Sequence, residues 1–186
     1  MVRTTIVNQS KTAFIEALFH LLESESFAEI TVKQLVLVSG YSKRTYYRYF
    51  NSKATILDEM LLRFLKHYQT YLQTADVTPN SLPTLFLNFI WSHHHKITLL
   101  ARNNLLLPLI TAHLPLIVQT LQAVTVAWRE PNAKSSDSNL ALIYSIGGFC
   151  VLVDNLFKQA TPASPKKVSQ ALTTTLNHFA ALLNQD

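Results

Sequence analysis

Five basic residues, with no acidic residue among them, occupy one short stretch of this 186-residue chain. They are Lys33, Lys43, Arg44, Arg48 and Lys53, and the stretch without aspartate or glutamate runs from residue 30 to residue 57. Lysine and arginine side chains neutralise phosphates and release the counterions condensed on a nucleic acid. An ordinary solvated helix face can carry such charges too. In a chain of net charge +5, however, a cluster this local is typical of a nucleic-acid-binding face.

Two short helices joined by a tight turn would position these charges. Thr31 is a suitable N-cap for the first helix, and Gly40 supplies the backbone freedom that ends it. Ser42 can then cap the second helix, which carries Lys43, Arg44 and Arg48. The pattern predicts a helix-turn-helix, whose second helix enters the major groove of DNA.

The same residues resemble the DNA-binding domain of the tetracycline-repressor (TetR) family of bacterial transcription regulators. The matching segments are Thr31, the turn Ser39-Gly40-Tyr41-Ser42 and the run TYYRYFNSK from Thr45 to Lys53. Upstream, residues 11–18 resemble the family's first helix and residues 27–30 its approach to the second. The resemblance in detail covers about residues 8–65.

The resemblance implies which side chains contact DNA. The residues expected to contact DNA phosphates are Thr31, Tyr47 and Lys53. Tyr49 is expected to lie near the sugar-phosphate backbone of the DNA. The groove-facing side chains are expected to be Lys43, Arg44, Thr45 and Arg48. Arg44 departs from the family, which often has a small residue there. The full predicted DNA-binding set is Thr31, Lys33, Ser42, Lys43, Arg44, Thr45, Tyr47, Arg48, Tyr49 and Lys53.

The rest of the chain shows helical periodicity and no alternation of strand type, so we predict an all-α protein of about nine helices. We divide it into a helix-turn-helix domain, residues 1–52, and a helical regulatory and dimerisation domain, residues 53–186. The second domain is predicted to begin with a helix of about six turns capped by Ser52, followed by a helix at 82–95. Helices then continue through 99–128, with interruptions near Asn103-Asn104, Pro108 and Pro115. A polar loop is predicted at 130–138, and the last two helices at 139–159 and 165–184.

Large apolar side chains and a few polar groups in the middle of the chain fit the usual composition of a small-molecule site. Members of the resembled family generally bind an effector in this region. A simple hydrophobic core would use the same aromatic residues. The predicted pocket residues are Phe64, Tyr68, Phe86, Phe89, Ile90, Trp91, His94, Asn103, Leu107, Trp128 and Tyr144.

The last two helices are predicted to form the dimer interface. Two adjacent glycines inside a helix cost about 1 kcal/mol each relative to alanine, and close helix packing would explain their presence. The resemblance implies a four-helix bundle with the partner subunit, although both helices could instead cover the core of one subunit. The predicted interface residues are Gly147, Gly148, Val151, Leu172, Leu176, Phe179 and Leu183.

Several other functions are disfavoured by the sequence. His93, His94 and His95 are adjacent, so a helix points their imidazoles about 100° apart and they cannot converge on one metal ion. No nucleophile elbow or phosphate loop indicates an enzyme, and we predict no cofactor. The apolar runs 105–118 and 140–153 are too short to span a membrane. The amino terminus lacks the apolar core of a signal peptide, and we expect a cytoplasmic protein.

The sequence therefore predicts a homodimeric, TetR-like repressor that binds an inverted-repeat operator in double-stranded DNA. A small hydrophobic or aromatic effector is expected to release it. Two alternatives stay open: a helix-turn-helix regulator without a small-molecule effector, and a helical ligand-binding or metal-binding protein that does not act on DNA.

Overall fold

The chain forms ten helices in the part that the computed structural model describes, which is residues 2–78, 81–124 and 136–183. Those ranges contain no strand, so the predicted all-α fold is confirmed. The helices are α1 Val2–Leu21, α2 Val32–Ser39, α3 Lys43–Tyr49, α4 Ala54–Thr74, α5 Leu82–Ser92, α6 His94–Arg102, α7 Leu106–Ala112, α8 Leu114–Gln122, α9 Ser136–Lys158 and α10 Pro165–Leu183.

Ten helices are observed where about nine were predicted, and the helix predicted at 82–95 ends early: α5 stops at Ser92 and α6 begins at His94. The side chains of Ser92 and His93 both reach the carbonyl oxygen of Phe89, at 2.7 and 3.0 Å. An uninterrupted helix would bond that oxygen to the His93 amide. The amide instead donates to the carbonyl of Ile90 at 3.0 Å. Competition from side chains for one carbonyl therefore ends α5 at this point.

The junction between α7 and α8 repeats this arrangement at His113. Its Nδ1 lies 3.0 Å from the carbonyl oxygen of Leu109, four residues earlier, and its amide donates to Ile110. Pro115 follows in the first turn of α8, where a missing amide proton does no harm. Pro108 does not interrupt a helix as predicted, because it lies in the first turn of α7.

Two further predicted boundaries need correction. Of the polar loop expected at 130–138, residues 136–138 instead belong to α9, while residues 130–135 lie outside the described part of the chain. The Ser52 side chain does not cap α4. Lys53 occupies the N-cap position without a side-chain cap bond, and the Ser52 amide donates to Thr55 Oγ1 at 3.4 Å.

An aromatic cluster fills the core between α1, α2 and α3. Phe14 is its centre, at 0% exposure, with ring centroids 6.0 Å from Tyr41, 5.5 Å from Tyr46 and 5.7 Å from Phe50. The buried core continues from these rings without a break into α4 to α10. The division at residue 52 stays a prediction, because apolar packing crosses it.

Charged side chains fasten α1 to α4. Glu59 accepts from Lys11 Nζ at 2.7 Å and from Arg63 Nε at 2.9 Å, and Arg63 also donates to Thr12 Oγ1 at 2.6 Å. Burial alone would raise the pKa of the Glu59 carboxyl, but the hydrogen bonds from Lys11 and Arg63 outweigh it and lower the pKa. The carboxylate is therefore ionised near neutral pH and joins the two helices.

Polar side chains join the start of α6 to α1 and to the residues that follow it. Lys96 Nζ lies 2.5 Å from Glu16 Oε1 and 5.3 Å from the centre of the Phe19 ring. His95 Nε2 lies 3.3 Å from Glu23 Oε1. Two residues of the polar run from His93 to Lys96 thus hold α6 against the first helix.

Within the described ranges, no helix combines the length and the apolar character that crossing a membrane requires.

Candidate nucleic-acid interface

Local interactions define the start of α2, the turn after it and the start of α3. Thr31 forms a capping box with Gln34: the Gln34 amide donates to Thr31 Oγ1 at 3.3 Å, and the Thr31 amide donates to Gln34 Oε1 at 2.8 Å. Gly40 ends α2 with φ of 73°, a left-handed conformation that glycine adopts without a steric cost. Ser42 Oγ then accepts from the Thr45 amide at 3.1 Å and starts α3. The helix-turn-helix and its three local signals are where the sequence predicted them.

Helix α3 turns one side to the core and the other to solvent. Tyr46 is fully buried in the aromatic cluster, and its hydroxyl has no hydrogen-bond partner among the described residues. On the outer side, Lys43 Nζ lies 5.9 Å from the centre of the exposed Tyr47 ring. A recognition helix needs this division, because a buried side must anchor the basic side that contacts DNA.

The structure brings nearly all of the predicted DNA-binding residues to the surface of α2, the turn and α3. Thr45 and Tyr49 are half-buried where α3 meets the core. The exposed members are Thr31, Lys33, Ser42, Lys43, Arg44, Tyr47 and Arg48. Their roles as DNA contacts stay predictions, and their shared exposure is what those roles require.

Lys53 departs from its predicted place on this surface. Its ammonium donates to three carbonyl oxygens of the segment before α2: Phe27 at 2.5 Å, Ala28 at 2.8 Å and Ile30 at 2.8 Å. It also lies 4.9 Å from the centre of the Phe27 ring. A lysine ammonium has three protons, and here all three are donated within the protein. A phosphate contact by Lys53 would have to break one of these bonds, and its role as a DNA contact stays a prediction.

A cleft of about 430 Å³ adjoins the basic surface between α1 and α3. It is lined by Ile6, Val7, Arg48 and Tyr49. The lining therefore extends the exposed surface of α3 from its end towards the start of α1.

The predicted ligand pocket is brought together only in part. Phe64 and Tyr68 of α4 meet Phe86 and Phe89 of α5, with centroid distances of 5.0 Å for Phe64–Phe89, 4.9 Å for Tyr68–Phe89 and 6.0 Å for Tyr68–Phe86. Burial raises the pKa of the Tyr68 hydroxyl, which therefore stays protonated near neutral pH. These four residues form the aromatic contact between α4 and α5.

Two further residues that were not predicted from the sequence belong to this aromatic contact. Tyr71 packs on Phe89 at 5.4 Å, and His93 packs on Phe89 at 4.6 Å and on Phe64 at 5.2 Å. Helical spacing could have identified both, because His93 lies four positions after Phe89 and Tyr71 lies three after Tyr68. His93 adds a polar ring edge to the otherwise apolar cluster.

The remaining pocket residues are placed elsewhere. His94 is exposed, with Nδ1 2.9 Å from the Trp91 carbonyl, and Tyr144 is 83% exposed, so neither lines the interior of this chain. The indole of Trp91 packs on Phe157 of α9 at 4.7 Å, away from the α4–α5 contact. Ile90 is buried in the main core, Asn103 and Leu107 are half-buried at the α6–α7 corner, and Trp128 lies outside the described residues.

The exposed side of α9 is apolar. Leu140, Tyr144 and Val151 are 63%, 83% and 49% exposed, and they recur at helical spacing on one face. Gly147 and Gly148 lie exposed between them, and a methyl group added at either would meet no atom within 4 Å. The glycines therefore do not serve packing inside this chain.

The predicted interface residues of α10 are described unevenly. Leu172 is half-buried and packs on the core. The side chains of Leu176, Phe179 and Leu183 lie outside the described part, although their backbone belongs to α10. The dimer interface stays a prediction.

Two side chains on α9, Asp154 and Cys150, are of types that can bind a cation or act as a nucleophile. The buried Asp154 pairs with Lys158 through Oδ2 at 2.7 Å, so its charge is matched within the helix. Burial raises the pKa of the Cys150 thiol to about 11, which keeps it protonated and weakly nucleophilic near neutral pH. The described residues contain no group of three or more potential metal ligands close together.

Comparison with known proteins agrees with this geometry. The family model for bacterial regulatory proteins of the tetR family matches residues 14–60, from the middle of α1 into α4. Among solved structures, a TetR transcriptional regulator from Streptococcus agalactiae is similar over 94% of this chain and 97% of its own, with a TM-score of 0.61 and 17% identity. At that identity the likeness shows the fold. No curated protein sequence matches the chain significantly. The resemblance predicted from the sequence is confirmed.

Proposed function

We propose that this chain, whose amino-terminal domain is that of the tetR family of bacterial regulatory proteins, is a homodimeric repressor that binds an inverted-repeat operator. The family match and the fold support DNA-binding transcriptional regulation. The observation that carries the proposal is the exposed, acid-free surface of α2 and α3 with its lysines and arginines. We propose that the chain consists of a DNA-binding domain followed by a regulatory domain and acts in the cytoplasm. In this proposal it catalyses no reaction and binds no metal.

Each part of the surface has a distinct task in this proposal. Thr31, Lys33 and Tyr47 contact phosphates and set the register, and these contacts carry no sequence information. Lys43, Arg44 and Arg48 enter the major groove, where arginine can donate two hydrogen bonds to guanine O6 and N7. Ser42, Thr45 and Tyr49 complete the contacts at the start and the end of α3.

A two-fold dimer would place two copies of α3 about 34 Å apart, one turn of DNA. The exposed stripe of Leu140, Tyr144, Gly147, Gly148 and Val151 supports this assembly, because a partner helix can approach closely over the glycines. We propose that α10, with Leu172, Leu176, Phe179 and Leu183, completes the four-helix interface.

Substitution of Arg44 by alanine tests the groove contact. Because the exposed Arg44 lies at the start of α3, we expect a loss of about 1–3 kcal/mol on an operator selected from random duplexes. Binding to random duplex should change little. Fluorescence anisotropy over a range of salt concentrations measures both affinities.

Lys33→Ala is the control for Arg44→Ala, since a phosphate contact should weaken all sequences alike and lower the salt slope by about one per subunit. Equal losses of Arg44→Ala on selected and random DNA would make Arg44 a backbone contact. If the wild-type protein binds no duplex DNA with an affinity that falls steeply as salt is raised, the DNA-binding proposal is contradicted. That result would favour a helical protein that does not act on DNA.

We further propose that a small hydrophobic or aromatic effector binds at the aromatic contact between α4 and α5 and releases the operator. Several contacts of α4 with other helices support this. Gln69 Nε2 donates to the Thr120 carbonyl of α8 at 3.0 Å, and Asp58 Oδ1 lies 3.3 Å from His113 Nε2 at the α7–α8 junction. A ligand that separates Phe64 and Tyr68 from Phe89 would thus move the helix that continues into the DNA-binding unit.

Thermodynamic reciprocity gives the expected result for an effector. If a compound weakens operator binding a hundredfold, about 2.7 kcal/mol, the operator must weaken binding of that compound a hundredfold. The fluorescence of Trp91 and Trp128 can report compound binding with and without operator DNA. Equal affinities in the two titrations, for every compound that binds, would favour the alternative of a regulator without a small-molecule effector.

A further inference from the structure

The segment between α1 and α2 is held by side chains on both sides. Within it, Ser26 donates through its amide and its hydroxyl to Glu29 Oε2, at 3.2 and 2.6 Å. From α2, Gln34 Nε2 donates to Glu25 Oε2 at 2.6 Å. These bonds fix the turn that leads into Thr31 and join it to α2, but none of them reaches α4.

Lys53 makes that connection. Its side chain leaves the N-cap position of α4 and its ammonium reaches the carbonyl oxygens of Phe27, Ala28 and Ile30, which precede it by 23 to 26 residues. Three converging carbonyls form a negative pocket that a lysine ammonium fills with all of its protons. The Phe27 ring, 4.9 Å away, covers the same ammonium.

We propose that Lys53 is a positioning residue: it fixes the amino-terminal end of α2 to the start of α4, and so sets where Thr31 and the first amides of α2 meet the DNA backbone. Helix amino termini attract anions because their first amides are unpaired. A small displacement of α2 would therefore weaken a phosphate contact that Lys53 itself does not make. A shift of α4 would reach α2 by the same route.

Chemical modification of the wild-type protein tests the geometry without any substitution. Reductive methylation requires a free amine lone pair, so Lys53 should react slowly both with and without operator DNA. Lys33 and Lys43, which are exposed, should react rapidly in the free protein and become protected by DNA. Mass spectrometry of proteolytic fragments gives the rate at each lysine. Rapid modification of Lys53 in the free protein, with protection only by DNA, would overturn the proposal.

A pair of variants tests the consequence for binding, which rests on the proposed DNA-binding function. Lys53→Met keeps the length of the side chain and removes the ammonium, and Lys33→Met is the matched loss of charge on α2. We expect Lys53→Met to weaken operator binding about two- to thirtyfold, the range for an anion contact at a helix terminus, without changing the salt slope. Lys33→Met should instead lower the slope by about one per subunit.

The outcomes separate the possibilities. A slope lowered by about one per subunit in Lys53→Met would make Lys53 a phosphate contact, and an unchanged affinity of the folded variant would make its role structural only. Either result overturns the positioning proposal. If Lys53→Met does not fold, the methylation rates of the wild-type protein still decide. If DNA protects no lysine at all, the DNA-binding function fails, whatever the reactivity of Lys53 in the free protein.

Discussion

Val151→Glu is expected to convert the proposed dimer into a monomer. Val151 lies on the exposed apolar stripe of α9, one turn after Gly147 and Gly148. In a two-fold interface the substitution places two carboxylates in one apolar region, and each unpaired buried charge costs about 3–5 kcal/mol. The dissociation constant of the dimer should rise at least about a thousandfold. Operator affinity should then fall steeply, because two linked half-site contacts become independent.

Leu62→Glu is the matched control for this prediction. Leu62 on α4 is 48% exposed and Val151 is 49% exposed, so both substitutions put the same charge on an equally accessible apolar site. Only the site on α9 belongs to the proposed interface. Sedimentation velocity over a range of protein concentrations measures the association of both variants. A Val151→Glu protein that stays as dimeric as the wild type would place the interface elsewhere.

Phe14→Ala is expected to lower the free energy of unfolding by about 3–5 kcal/mol, since it empties the centre of a close-packed aromatic cluster. Phe14 touches rings from the turn, from α3 and from the segment after α3. Its removal leaves a cavity beneath α2, the turn and α3. Urea denaturation followed by circular dichroism measures the change.

Tyr46→Phe separates the ring from its substituent in the same cluster. The Tyr46 hydroxyl is buried without a hydrogen-bond partner in the described part of the chain, and burial raises its pKa. Removing it should leave the stability unchanged or raise it by about 1 kcal/mol, because an unsatisfied polar group is lost and no contact is broken. A destabilisation by Tyr46→Phe as large as that by Phe14→Ala would show that the hydroxyl, and not the ring packing, matters in this core.

The sequence predicted best what depends on neighbouring residues. The cap at Thr31, the left-handed Gly40 and the cap at Ser42 each involve partners within a few positions, and all three occur. The break at His93 is local too, but it depends on which side chain reaches the Phe89 carbonyl, and hydrophobic periodicity carries no information on that.

What the sequence could not predict depends on long-range geometry. The carbonyl partners of Lys53 lie more than twenty positions away, so the local sequence could not predict them, and the family resemblance implied a phosphate contact instead. Tyr144 was placed in a pocket because α9 is apolar on most of its circumference, and its rotation about its own axis is set by packing against α6, α7 and α8. The ring contacts of His93 likewise required the angle between α4 and α5.

The Glu59 bridge joins α1 to α4 near the amino-terminal end of α4, so α4 can act as a lever on the DNA-binding helices. At 1.5 Å per residue its 21 residues span about 31 Å, and Tyr68 lies about 21 Å from Ala54. A sideways displacement of 1 Å at Tyr68 would turn the arm by roughly 3° if its other end stays fixed. In a two-fold dimer the two copies of α4 turn in symmetry-related senses, so the angle between the two recognition helices changes by up to twice the rotation of one α4.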